Sequence, residues 1–171
     1  MRKATYKLYK VILDDYANRS GISVYYKSLD AEAQWQPRNK TIYLDINIEE
    51  YDREIANYLH ELGHMRDDYT PKKDKHVDGI EKAYNRFNQF LDKSRVNGRL
   101  VYPTYNQKMI VIETEYRAWI NGKAIALQLN MKMGEWFNKQ MQDSIYIYFE
   151  HAFDKSCNEE YNKFMKEKGE I

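Results

Sequence analysis

The sequence feature that most constrains this chain is the pentad His60-Glu61-Leu62-Gly63-His64, which matches the pattern H-E-x-x-H. It lies on a segment whose apolar residues recur at helical spacing. These apolar residues are Tyr51, Ile55, Leu59 and Leu62. On a helix, residues four apart lie on one side, one turn apart, so both imidazoles can reach a single tetrahedral zinc ion. The pentad therefore predicts a zinc site on a helix.

Glu61 has a different expected role. It lies too close in sequence to His60 to serve easily as a third ligand. A glutamate at this position can instead take a proton from a zinc-bound water, which is the general-base role of this residue in metallopeptidases. The chain has four histidines, and two of them lie in the pentad. We therefore predict His60 and His64 as metal ligands and Glu61 as the catalytic residue.

A catalytic zinc site needs a third protein ligand and an open fourth position. The metzincin extension of the motif requires glycine at position 67 and a ligand at position 70, where this chain has Asp67 and Thr70. The third ligand must therefore come from another helix. The two candidates are Glu113 and Glu115, at the start of an apolar period that predicts a helix over residues 110–129.

The helical faces distinguish these two glutamates. Glu115 shares its face with small and apolar residues that should pack inward, namely Ala118, Gly122, Ile125 and Leu129. A carboxylate there is costly unless it binds a metal or is otherwise paired. Glu113 has Arg117 four residues later, the ordinary arrangement of a surface ion pair. We favour Glu115 as the third ligand over Glu113, and we expect Ala118 and Gly122 to let this helix approach the first one closely.

The N-terminal part is predicted to combine a helix and a small sheet. A helical period predicts a helix over residues 2–19, with its apolar face at Leu8, Val11, Ile12 and Tyr16. Alternating apolar residues predict half-buried strands over residues 22–27 and 42–47, with a turn at residues 35–39 between them. The second strand is expected to be able to hold an extended peptide by edge pairing. Asn47 is predicted to cap the pentad helix, which should end near Asp68.

The rest of the chain is predicted to be helical. Residues 71–76 indicate a solvated loop, and a helix is expected over residues 80–95, ending at Asn97-Gly98. A long apolar period from Ile145 to Phe164 predicts a C-terminal helix. The expected fold is α+β and mostly helical, with a small N-terminal β-sheet packed on the H-E-x-x-H helix. We expect one domain over residues 1–171.

Composition excludes several classes of protein. The formal net charge of +1 gives no basic excess, so no nucleic-acid partner is expected. The single cysteine, Cys157, favours a reducing compartment, and we expect the cytoplasm. No apolar stretch approaches the length of a membrane span, so no membrane association is expected.

The order of these elements, with Glu115-Tyr116-Arg117-Ala118 on a later helix, resembles the gluzincin-type metallopeptidases, and within them the small ImmA/IrrE-like proteins. The resemblance covers about residues 5–129. It implies a minimal zincin-like domain in which His60, His64 and Glu115 hold zinc and Glu61 activates water. Known members are linked to cleavage of repressor-like proteins. The long segment between His64 and Glu115 implies an insertion at about residues 70–103. We expect a C-terminal helical extension at about residues 134–168.

The sequence thus predicts a zinc-dependent metallopeptidase that hydrolyses a peptide bond in an intracellular protein. The alternative is a non-catalytic interaction module on the same scaffold, which a fourth ligand from His76, His151 or Cys157 would favour. We expect both histidines to be solvated or hydrogen-bonded and Cys157 to be a buried apolar residue. A second group of residues could assist the site, as an oxyanion donor or by orienting an imidazole. These are Tyr69, Tyr102, Tyr105, Tyr116 and Asp67.

Overall fold

The computed structural model of the protein describes residues 1–29, 33–47, 50–69 and 74–171, with the side chains of residues 68, 69 and 74–78 left outside the description. The elements in chain order are α1 Lys3–Arg19, β1 Ser23–Lys27, β2 Ala33–Gln36, β3 Thr41–Asp45, α2 Tyr51–Tyr69, α3 Asp74–Leu91, β4 Arg95–Val96, β5 Arg99–Leu100, α4 Tyr105–Gln128, α5 Glu135–Phe153 and α6 Cys157–Lys168. The predicted α+β, mostly helical fold is therefore confirmed.

The chain forms two compact units, and the helices α4 and α5 each contribute residues to both. The first unit comprises Met1–Thr70 and Arg117–Met141, and the second comprises Pro71–Tyr116 and Gln142–Ile171. None of the described helices is both long and apolar enough to cross a membrane.

The sheet of the first unit has the strand order β1-β3-β2. Strand β3 pairs in parallel with β1 and antiparallel with β2, and it contacts α2 through a side that includes the buried residues Ile42 and Leu44. The prediction that this strand offers an edge to a peptide is wrong, because β3 is central. Residues 33–36 form the third strand, so the predicted turn is limited to a short 3₁₀ helix at Pro37–Asn39.

Helix α1 has nearly the predicted bounds but buries a different face. Its buried residues are Tyr9, Leu13 and Ala17, whereas Leu8 and Val11 are 57% and 66% exposed. This segment has two overlapping apolar stripes. The stripe whose residues are spaced four apart, Tyr9, Leu13 and Ala17, is the buried one, and α1 contacts α2 and β1 in the first unit. The predicted face of this helix is therefore wrong.

Helix α2 begins at Tyr51, so Asn47 is not its cap. The Asn47 side-chain amide donates instead to Ser28 Oγ at 3.0 Å and to Asp45 Oδ1 at 3.1 Å, which closes the turn after β3. The predicted apolar face is buried at Ile55, Leu59 and Leu62 and half-buried at Tyr51, where the helix begins. The helix ends at Tyr69, close to the predicted end at Asp68.

The first described element of the second unit is α3. It starts at Asp74 and includes residues that were predicted to form a loop. This helix ends at Leu91, and Asn97-Gly98 is the turn of the hairpin β4–β5 rather than a helix stop. Both turn residues have positive φ, 51° and 76°, which is typical of a type I′ turn.

The predicted C-terminal helix is two helices, α5 and α6, separated by a short 3₁₀ helix at Asp154–Ser156. The break contains no glycine or proline, and the apolar period continues across it, so the sequence pattern did not indicate it. Phe149 and Phe164 are both buried, with ring centroids 5.4 Å apart. Cys157 is buried, as predicted.

Candidate metal centre

The pentad helix and the second half of α4 pack closely within the first unit. A Cβ atom added to Gly63 would lie 1.9 Å from the backbone oxygen of Ala118, and one added to Gly122 would lie 2.5 Å from the backbone oxygen of Leu59. The Asn121 side-chain amide donates to the Gly63 carbonyl at 3.4 Å. The predicted close approach at Ala118 and Gly122 is confirmed. Gly63, inside the pentad, is the matching small residue on α2.

The close approach of α2 and α4 determines the position of Glu115, because Glu115 lies one turn before Ala118 on the same unbroken helix. The structure brings His60, His64 and Glu115 together, with one ligand atom from each lying within 4.8 Å of the others. Glu115 is 4% exposed, as the inward-facing stripe predicted. The Nε2 atoms of His60 and His64 are 3.1 Å apart.

This donor set fits zinc. Two imidazole nitrogens bound at about 2.0–2.1 Å in a tetrahedral site are separated by about 3.3 Å, close to the distance between the His60 and His64 nitrogens. Two imidazoles and one carboxylate are the ligands of a common class of catalytic zinc site. Among the described residues no fourth histidine, cysteine, aspartate or glutamate joins the group. Three candidate ligands match the pattern of a catalytic zinc site, in which the fourth coordination position is open to water or substrate.

The surroundings of the two candidate glutamates differ. Tyr84, on α3, donates a hydrogen bond of 2.5 Å to Glu115 Oε1. The Glu113 side chain is 47% exposed, and its Oε1 lies 3.6 Å from Lys168 Nζ. The predicted pair of Glu113 with Arg117 is therefore wrong: Arg117 Nη2 lies 3.5 Å from Asp67 Oδ2, because α4 faces α2 at this point.

Glu61 is a buried carboxylate within the pentad. It is 8% exposed, and no described residue forms a hydrogen bond or an ion pair with it. Burial of a carboxylate without a protein partner is costly, and such groups are commonly functional. A carboxylate that follows the candidate ligand His60 in the chain can serve as a base toward a water molecule.

Aromatic side chains pack on one side of His60. The Trp119 ring lies 4.6 Å from the His60 ring, centroid to centroid, and packs edge-on against Phe137 at 5.5 Å. Both aromatic side chains are almost fully buried. Neither residue carries a sequence signal of a site, since an aromatic at helical spacing is most simply part of a core.

Two of the tyrosines named from the sequence form hydrogen bonds away from the cluster, and a third is largely exposed. Tyr105 donates to Glu160 and Tyr116 donates to Glu170, each at 3.0 Å, and Tyr102 is 64% exposed. Burial, followed by the hydrogen bond to Glu170, raises the pKa of Tyr116 to about 12. The side chain of Tyr69 lies outside the described residues.

The additional candidate ligands do not join the cluster within the described chain. His151 is exposed on α5, and Cys157 is buried at the start of α6. The side chain of His76 lies outside the described residues. The tyrosine that contacts a candidate ligand is Tyr84, which lies 31 residues from Glu115. No local pattern in the sequence could have identified it.

Comparisons of the chain with protein-family models, with curated proteins and with solved structures found no match. A functional interpretation therefore depends on the side chains of this chain and their geometry.

Proposed function

We propose that the protein is a zinc-dependent metallopeptidase of the gluzincin type that hydrolyses a peptide bond in a cytoplasmic protein. The observation that carries this proposal is the convergence of His60, His64 and Glu115, with the buried Glu61 beside the first of them. Three ligands of this kind, with a glutamate inside the pentad, are the donor set of zinc peptidases. The single cysteine supports a reducing compartment.

The proposed site residues have different roles in the reaction. His60, His64 and Glu115 hold the metal, and Glu61 accepts the proton of the attacking water and returns it to the leaving amine. A zinc ion at this site would supply acidification of water and polarisation of the substrate carbonyl. Trp119 and Phe137 exclude solvent from one side of His60, which strengthens electrostatic interactions there.

The proposed substrate is an extended segment of another protein. The outer strands of the first sheet are β1 and β2, and an extended peptide can add to a sheet through main-chain hydrogen bonds at such an edge. A repressor-like regulator is the partner that the resemblance to ImmA/IrrE-like proteins implies.

The test compares the wild-type chain with Glu61→Gln. We expect about one zinc per chain in both, because Glu61 is not a ligand. Cleavage of a proteome-derived peptide library, read by mass spectrometry, should fall about a hundredfold or more in Glu61→Gln, which is the usual cost of removing a general base.

Glu54→Gln is the matched control for this experiment. Glu54 is also a buried glutamate of α2, but it accepts hydrogen bonds from Tyr6 at 2.7 Å and from Lys10 at 2.9 Å. Its replacement should lower stability while leaving zinc content and cleavage unchanged in the folded protein. Equal cleavage by wild type and Glu61→Gln would contradict the proposed mechanism. Zinc-loaded wild type that cleaves no peptide would favour the non-catalytic scaffold.

A further inference from the structure

We propose that Tyr84 is a positioning residue of the metal centre, which fixes Glu115 so that one chosen carboxylate oxygen binds the ion. This inference rests on the proposed zinc site. It assigns a role in that site to α3, a helix that contributes neither the pentad nor the third ligand.

The hydrogen bond between Tyr84 and Glu115 carries the proposal. At 2.5 Å from hydroxyl oxygen to carboxylate oxygen, it lies at the short end of the range for a neutral hydroxyl and an ionised acceptor. Its acceptor is 4% exposed, so the bond is shielded from competing water. Such a bond holds the carboxylate in one orientation, and it joins α3 to α4 within the second unit.

The chemical consequence concerns the two oxygens of Glu115. An oxygen that accepts a strong hydrogen bond gives up electron density, so it is the poorer donor to a metal. We therefore expect the ion to be held through Oε2 alone. Monodentate binding by Glu115 keeps the number of protein donor atoms at three and preserves a position for water.

The proposal changes the expected role of residues 70–103. The resemblance to ImmA/IrrE-like proteins implies only that this segment is an insertion. If Tyr84 orients a ligand, the segment also contributes to metal affinity, because residues that orient ligands commonly affect affinity about 10–100-fold.

The first measurement is zinc affinity, by competition with a chromophoric chelator, for the wild-type chain and Tyr84→Phe. The substitution keeps the ring and removes only the hydroxyl. We expect affinity to fall about 10–100-fold. Tyr116→Phe is the matched control, because it removes a hydroxyl-to-carboxylate bond of 3.0 Å, to Glu170, one residue after the ligand on α4. Its zinc affinity should equal that of the wild type.

The second measurement separates positioning from general destabilisation. With Co²⁺ in place of zinc, four-coordinate sites absorb visible light strongly and five-coordinate sites absorb weakly. Releasing Oε1 in Tyr84→Phe lets Glu115 bind through both oxygens, so we expect a loss of visible intensity in this variant but not in Tyr116→Phe. A purely structural role of Tyr84 would lower the occupied fraction without changing the spectrum of the occupied site.

The outcomes distinguish this inference from the proposed function. If the wild-type chain binds no zinc, both are overturned. If the wild type binds zinc and Tyr84→Phe binds it equally well with an unchanged cobalt spectrum, only the role of Tyr84 is overturned. Equal losses of affinity in the two tyrosine variants would also overturn that role. A loss confined to Tyr84→Phe, together with the weaker cobalt spectrum, would establish it.

Discussion

Zinc binding is expected to be lost when Glu115 is replaced by glutamine. A neutral amide is a poor zinc ligand, and the two histidines alone cannot hold the ion tightly. Because loss of a residue that merely orients a ligand already costs about 10–100-fold in affinity, loss of the ligand itself should cost about a hundredfold or more. The measurement is zinc content after gel filtration, together with a chelator-competition titration.

Glu113→Gln is the control for this prediction, since it makes the same change two residues earlier on α4. The Glu113 side chain is 47% exposed and lies 3.6 Å from Lys168, an ion pair whose loss costs about 0.5 kcal/mol or less. We expect unchanged zinc content in this variant. If Glu113→Gln lost zinc and Glu115→Gln kept it, Glu115 could not be the third ligand. Retention in both would place the third ligand elsewhere.

A large loss of stability is expected for Gly63→Ala. The added methyl group would lie 1.9 Å from the oxygen and 2.7 Å from the carbonyl carbon of Ala118. Both atoms belong to the backbone, so the clash cannot be relieved by a side-chain rotation and α2 and α4 must separate. We expect a loss of about 3 kcal/mol in the free energy of unfolding, the upper end for overpacking, measured by urea denaturation.

Gly79→Ala is the matched control, because Gly79 is also a helical glycine but a Cβ there would have no atom within 4 Å. Alanine is the better helix former, so this variant should gain about 0.5–1 kcal/mol. Opposite signs for the two substitutions would show that contact, not helix propensity, selects glycine at position 63. A Gly63→Ala variant as stable as the wild type would contradict the packing described above.

The sequence was most informative where the evidence is local. The period around the pentad predicted the buried face of α2 correctly, because residues three and four apart must share a side of a helix. Helical spacing also separates Glu115 from Glu113, since a carboxylate on a stripe of small and apolar residues is expected to be buried. The two residues differ in the predicted direction, since Glu115 is buried and Glu113 is half-buried.

The errors arose where the outcome depends on distant parts of the chain. Helix α1 carries two apolar stripes, and only packing against α2 and β1 selects one. Residues 33–36 form a strand because they pair antiparallel with β3. The turn-forming residues next to them had indicated a turn instead. Tyr84 reaches Glu115 across 31 positions. No periodic signal extends over such a distance.

The burial of Glu61 and Glu115 has an electrostatic consequence for the whole protein. The candidate centre holds two acidic side chains, Glu61 and Glu115, that are only 8% and 4% exposed. A divalent ion bound there would interact with both carboxylates in surroundings where electrostatic interactions are stronger than in water. Because the site exists only in the folded chain, such an ion would contribute by mass action to the free energy of folding.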